Sequence, residues 1–143
     1  MRHIVSMKLV GYTRQGLILM PAKILVIEDH PDTSQVITLL LGVEGITVIT
    51  AADGYGGLDK ANAERPDLII TDLMMPNLDG VRMIKRLRSQ AEFVKVPILA
   101  LTAYAEEMAS EAIEAGADGV LVKSDNLDNL IDTVKGFLQP AEI

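Results

Sequence analysis

Cysteine and tryptophan are absent from this 143-residue chain, and each absence removes a class of chemistry. Without cysteine there is no disulfide framework, no thiolate zinc site and no cysteine nucleophile. Aromatic residues make up only 3%, too few for a platform on which nucleic-acid bases stack. Cations are short as well: thirteen Lys and Arg stand against twenty Asp and Glu, a formal net charge of −7. A body of that sign repels nucleic acid, which is not an expected partner. No apolar run reaches the roughly 18 residues of a membrane-spanning helix, so no membrane association is expected and the cytoplasm is the expected compartment. What the chain has in quantity is apolar residues, 49% of the total. That is enough to bury the core of one domain of this length.

The charge is unevenly spread. Residues 1–21 hold Arg2, Lys8 and Arg14 and no acid, leaving ten cations against twenty acids for the rest. Lys8 interrupts the apolar stretch Ile4-Val5-Ser6-Met7, which is therefore too short for an export signal. Met20-Pro21-Ala22-Lys23 would itself be a sensible start, so residues 1–21 read as an N-terminal extension: an upstream segment, a flexible arm or an added edge strand. Residues 22–139 read as one domain and 140–143 as a tail.

From Lys23 onward, short apolar runs alternate with segments of helical period. The runs are Ile24–Ile27, Ile46–Ile49, Leu68–Ile70, Ile98–Leu101 and Val120–Val122. Their apolar character on both faces predicts central strands of a parallel sheet covered by helices on each side. Between them, Asp32–Leu41 ends at Gly42, and Asp79–Ser89 sets Gly80, Ile84 and Leu87 on one side. Residues 104–115 place Met108, Ala112 and Ile113 on one face before Gly116, a helix-ending glycine. Leu127, Leu130, Ile131, Val134 and Leu138 form a helical stripe with Asp125 as N-cap. Asp53–Glu64 is the weak helix, because Gly54, Gly56 and Gly57 each cost about 1 kcal/mol relative to alanine, and an irregular first turn is expected. Five such units predict an α/β fold, a doubly wound (βα)5 parallel sheet of flavodoxin-like order 2-1-3-4-5.

Ligands of such sheets bind beyond the carboxyl ends of the strands. There the sequence puts Glu28-Asp29, Thr71-Asp72, Thr102-Ala103 and Lys123-Ser124, while Thr50-Ala51 after the second strand contributes nothing obvious. Carboxylates about 4 Å apart repel by around 4 kcal/mol at an effective dielectric near 20, so three of them call for a compensating cation. Hard oxygen ligands point to Mg2+. Glu28, Asp29 and Asp72 would hold it, Asp72 would be the nucleophile of a phosphoryl transfer, and Lys123 and Thr102 would supply donors to the phosphoryl oxygens. The product would be a labile acyl phosphate.

KILVIEDHPD, PDLIITDLMMPNLDG, PILALTAYA and GADGVLVKS carry the strand ends just described. In these motifs residues 23–138 resemble the receiver domain of two-component response regulators, in its single-domain, CheY-like form. The resemblance implies that Asp72 accepts phosphate from a sensor histidine kinase or histidine phosphotransfer protein. It implies that Glu28, Asp29, Asp72 and the backbone carbonyl of Met74 coordinate Mg2+, and that Thr102 and Lys123 engage the phosphoryl group. The face from the fourth to the fifth helix would then change its affinity for a downstream protein or for a second copy. Gly80 and Pro76 fit the tight loop after Asp72. Two positions depart from the pattern: Val120 stands where an aromatic switch residue is common, and Ser124 where proline is common, so a trans bond is expected after Lys123.

The remaining candidates have plain readings. His30 is a solvated loop residue, Met74 and Met75 are apolar loop packing, Tyr104 flanks the site, and Arg82, Lys85, Arg86 and Arg88 form a solvated face. The expected function is a stand-alone receiver that switches protein contacts. Its rivals are a degenerate receiver used for constitutive docking or dimerisation, and a flavin binder, which the absence of a phosphate-binding loop after the first strand disfavours.

Overall fold

In the computed structural model, which describes residues 7–123 and 127–138, the apolar runs become strands and the periodic segments become helices. In chain order the elements are β1 (Met7–Thr13), β2 (Gly16–Pro21), β3 (Lys23–Ile27), α1 (Pro31–Val43), β4 (Thr47–Ala51), α2 (Gly54–Glu64) and β5 (Leu68–Asp72). They continue with α3 (Gly80–Arg88), a 3-10 turn at Ala91–Phe93, β6 (Ile98–Thr102), α4 (Ala105–Ala115), β7 (Gly119–Val122) and α5 (Asp128–Phe137). The five-stranded sheet runs β4-β3-β5-β6-β7 with every pair parallel, which is the 2-1-3-4-5 order of a doubly wound fold.

Alternation along the strands divides the core in two. Leu25, Ile27, Ile69, Ile98 and Ala100 face α2, α3 and α4, where Ala61, Met83, Ile84, Leu87 and Ala112 cover them. Ile24, Val26, Leu68, Ile70, Leu99 and Leu101 face α1 and α5 through Ile37, Leu41, Leu130 and Val134. Only β3, β5 and β6 are buried on both faces; β4 and β7 are edge strands and half-exposed, contrary to the expectation of five central strands. A helix flanks a terminal strand on fewer sides, so apolar content alone did not distinguish centre from edge.

Three helical details also differ. The first helix runs through Gly42 to Val43, and the chain turns out at Gly45, which supplies a φ of 80°. The second is regular from its first residue. Asp53 accepts the N–H of Gly56 at 2.7 Å, and the glycines are demanded by packing: a Cβ on Gly54 would stand 2.6 Å from the Leu78 carbonyl oxygen, and one on Gly57 2.6 Å from Ile27 Cδ1. Close approach of α2 to the sheet replaces the side chains it lacks. On α4, Ala112 and Ala115 are buried and Met108 partly so, while Ile113 is exposed; residues 108 and 113, five apart, do not share a helical face. Leu127 is the N-terminal neighbour of α5. Asp125, expected there as cap, and Ser124 with its peptide bond lie outside the described residues.

Residues 7–21 form a separate antiparallel hairpin, β1 with β2, rather than an added strand of the main sheet. It is tied to the domain at its base, where Lys8 Nζ donates to Asp67 Oδ1 at 2.8 Å and the Lys23 N–H donates to Asp67 Oδ2 at 2.8 Å. Asp67 lies just before β5, so the hairpin is attached at the amino ends of the parallel strands.

Candidate functional site

Parallel strands present all their carboxyl ends at one edge, so residues that follow neighbouring strands meet there. β3 runs into Glu28 and Asp29, β5 ends on Asp72, β6 ends on Thr102, and Lys123 follows β7. With β5 between β3 and β6, Asp72 sits at the centre.

Asp72 is 2% exposed. Its Oδ1 accepts the Met74 N–H at 3.1 Å and its Oδ2 accepts Lys123 Nζ at 3.0 Å. The same ammonium is 2.7 Å from Glu28 Oε1. Glu28 Oε2 accepts the His30 N–H at 3.0 Å and lies 3.1 Å from His30 Nδ1. One ligand atom from each of Glu28, Asp29, His30 and Asp72 falls within 4.8 Å of the others. The loop after β5 is shaped for this packing: a side chain on Gly80 would collide with the Asp72 carbonyl oxygen, and Gly80 N–H closes the loop on the Leu73 carbonyl at 3.1 Å.

Burial pushes the Asp72 carboxyl up to about 6, with the charge of Glu28 adding to it; the hydrogen bonds from Lys123 and Met74 reverse only part of the rise. Glu28 is also raised by burial, yet its bonds to Lys123 and His30 prevail and hold it below the ordinary carboxylate value. Desolvation would lower Lys123, but the two carboxylates outweigh it and raise the ammonium. Lys123 therefore stays charged, and one ammonium faces three carboxylates.

This donor set fits Mg2+. Three carboxylates supply hard oxygens, and Asp29 Oδ1 is buried without a hydrogen-bond partner; His30 Nδ1 is 3.3 Å away but outside bonding geometry. Such an orphaned oxygen is the kind of ligand a hard cation satisfies.

Of the residues expected from sequence, Glu28, Asp29, Asp72 and Lys123 are brought into contact range. Met74 lends its N–H to Asp72. Thr102 is fully buried on the adjacent strand end; its Oγ1 accepts the Tyr104 N–H at 3.0 Å and faces Met108 Sδ at 3.9 Å. Tyr104 is exposed beside it.

Other readings change. His30 is exposed, as expected of a loop residue, yet it frames the acidic pair; its adjacency to Glu28-Asp29 was the available signal. Met75 is buried but the Met74 side chain is exposed, because the turn that aims the Met74 N–H at Asp72 sends its side chain outward. Arg88 does not belong to a solvated face. It donates to the carbonyls of Gly116 and Val96 at 2.9 and 2.7 Å and to Asp118 at 2.8 Å, clamping α3 to the segments before β6 and β7. The end of β4 also contributes: the Ala51 carbonyl accepts the Glu28 N–H at 3.0 Å, and Thr50, Ala51 and Ala52 wall a cavity of about 680 Å3 beside Glu28 and Asp29. A backbone contact of that sort leaves no mark in a sequence. Val120 is partly buried against the core, so no ring occupies that position.

The model of the response regulator receiver domain family matches residues 24–135. The alkaline phosphatase synthesis transcriptional regulatory protein PhoP of Bacillus subtilis is 40% identical over 87% of this chain and 51% of its own. Sporulation initiation phosphotransferase F of the same organism is 34% identical over 84% of this chain and 96% of its own. The chain spans about half the length, or less, of the first curated relatives it matches. Among solved structures, the receiver domain of the sensor histidine kinase PA1611 of Pseudomonas aeruginosa, with a magnesium ion coordinated in its active-site cleft, superimposes with a TM-score of 0.76. It is 31% identical, over 82% of this chain and 97% of that one. Among the described residues no helix is long and apolar enough to cross a membrane.

Proposed function

The chain belongs to the family of response regulator receiver domains, and on that premise we propose that Asp72 takes up a phosphoryl group from a histidine of a sensor kinase or phosphotransfer protein. The observation that carries the reading is the buried Asp72 carboxyl held between Lys123 Nζ and the Met74 N–H, within ligand distance of Glu28 and Asp29. An Asp72 oxygen attacks phosphorus, the phosphorus–nitrogen bond breaks, and its electron pair leaves on the imidazole. Lys123, already 3.0 Å from Oδ2, holds the carboxylate in place and offers charge to the phosphoryl oxygens. Thr102, one strand over, offers its hydroxyl to the same group. Glu28, Asp29, Asp72 and the Met74 carbonyl are the residues that would hold Mg2+, whose contribution when bound is to offset the charge on the phosphoryl oxygens. The magnesium in the PA1611 receiver supports this assignment. The cytoplasm, where such kinases present their phosphohistidines, is the compartment, and the output is a change in affinity for a downstream protein on the α4 to α5 face.

Intact mass spectrometry after incubation with acetyl phosphate and Mg2+ tests the reading. One added phosphoryl group is expected on the parent and none on Asp72→Asn; no gain on the parent, or an equal gain on the variant, refutes it.

Val120 favours a second reading, a docking module whose surface is the same with or without phosphate, since no aromatic side chain stands there to rotate. Beryllofluoride with Mg2+ separates the two. Altered amide resonances along α4 support switching; changes confined to the strand ends support constitutive docking.

A further inference from the structure

The hairpin is the part of the described chain that the phosphoryl chemistry leaves unused. Cross-strand partners in an antiparallel pair stand on the same face, so the register sorts its side chains. Leu9 faces Leu19 and Tyr12 faces Leu17, and the two leucines of β2, two residues apart, share a side. Strict alternation would send Tyr12 to the side opposite Leu9. The register instead skips Val10, and this bulge returns Tyr12 to the face of Leu9. Leu9, Tyr12, Leu17 and Leu19 thus make one uncharged face, with Tyr12 71%, Leu17 49% and Leu19 45% exposed. The other face carries Lys8 opposite Met20, and Lys8 is the residue bound to Asp67 of the domain. That face also holds Ile18 and Met20, 39% and 50% exposed, but it carries a charge and the link to the domain, whereas the first face carries neither. An uncovered apolar face on a two-stranded sheet lacks the second layer from which such sheets take their stability.

We infer that this face packs against the same face of a second copy of the chain, forming a symmetric dimer at the pole opposite the acidic cluster. The face bears no charge, so it meets itself without repulsion, as an isologous contact requires. The surrounding charges select a second copy. Residues 7–21 contain Lys8 and Arg14 and no acid, whereas residues 22–143 carry twenty acids against ten cations. A two-fold axis across the strands lays the turn of one hairpin over the base of the other. Arg14, in the turn, then reaches the base where the exposed Glu64 stands 3.5 Å from Lys23 Nζ. A strand of this length spans roughly 20 Å, so Arg14 does not reach that base within its own chain.

Sedimentation velocity on the full chain over a range of micromolar concentrations tests this, without Mg2+ and with Mg2+ plus acetyl phosphate. A dimer is expected under both conditions. Leu17→Glu/Leu19→Glu and, separately, Tyr12→Glu should sediment as monomers with an unchanged helical circular dichroism signal, while Tyr12→Phe remains a dimer. Glu64→Arg should weaken association about fivefold, the size of exposed ion pairs, and adding Arg14→Glu should restore it. A parent that is monomeric throughout, or a dimer that survives both glutamate variants, overturns the inference. So does a monomer that instead co-sediments with phosphatidylserine vesicles, since the face would then serve a membrane.

Discussion

The two ends of the parallel sheet solve opposite problems. At the carboxyl end, side chains converge: Glu28, Asp29, Asp72 and Lys123 crowd into one cluster in which burial, with the charge of Glu28 added, lifts Asp72 to about 6. At the amino end, the hairpin is held by few contacts, chiefly through Asp67, and its apolar side chains face outward. The first end holds unfavourable electrostatics in place with the rigidity of three buried strands. The second leaves favourable apolar area unburied. Each end leaves something unmatched, a buried carboxylate oxygen without a hydrogen-bond partner at one and apolar area open to solvent at the other.

That contrast can be broken from either side. The largest effect is expected at the carboxyl end: Lys123→Met leaves Glu28 and Asp72 buried without their counter-ion and should destabilise the metal-free protein by about 3 kcal/mol in urea melts at neutral pH. A comparable amount should appear as pH dependence. Native Asp72, at about 6, holds its proton more tightly than the unfolded chain at 3.8. The stability it contributes is therefore fully present below pH 3.8 and lost as pH rises through 6. Glu28, lowered instead, contributes in the opposite sense, its share being lost as pH falls. Asp72→Asn isolates the first effect. In the presence of chelator, the variant should gain on the parent by about 3 kcal/mol between acid and neutral pH, and Mg2+ should narrow the gap. A variant less stable than the parent at neutral pH without metal contradicts the repulsion account.

A smaller effect probes the middle of the sheet. Gly57→Ala improves helix propensity, yet its Cβ would meet Ile27 at 2.6 Å, so a loss of about 1 to 3 kcal/mol is expected in thermal melts; a gain would show that α2 can move off the sheet. The smallest belongs to the hairpin. Lys8→Ala removes a pair whose cation is 41% exposed and should change the stability of the domain by less than about 1 kcal/mol. Protection of the β1 and β2 amides in hydrogen exchange should fall first, since those contacts are what Lys8 anchors.

Much of the carboxyl end was legible in the sequence. Short β-branched runs gave the strands, and parallel connectivity turned their last residues into neighbours, so Glu28, Asp29, Asp72 and Lys123 could be grouped before any coordinates. The misreadings share a cause. Three glycines counted against α2 by propensity, but at two of them, Gly54 and Gly57, Leu78 and Ile27 occupy the space where side chains would have been. Arg88 looked like one more surface cation beside Arg82, Lys85 and Arg86; its bonds to Gly116, Val96 and Asp118 join segments far apart in the chain. His30 is exposed as a loop histidine usually is, and what the sequence left out is that the turn after β3 sets its ring 3.1 Å from Glu28.

The hairpin marks the division most clearly. A +3 charge and apolar content set residues 1–21 apart on composition alone, but arm, extra strand and independent hairpin are equally compatible with that composition. By itself the sequence determined the alternation of strands and helices, and hence which residues reach the carboxyl edge, because period and chain order are local properties. Only the tertiary structure decided how far the edge strands are exposed, where a glycine is required, which cation is buried, and which way the hairpin turns its apolar face. Those outcomes depend on the distance between residues remote in sequence, and no local pattern records that distance.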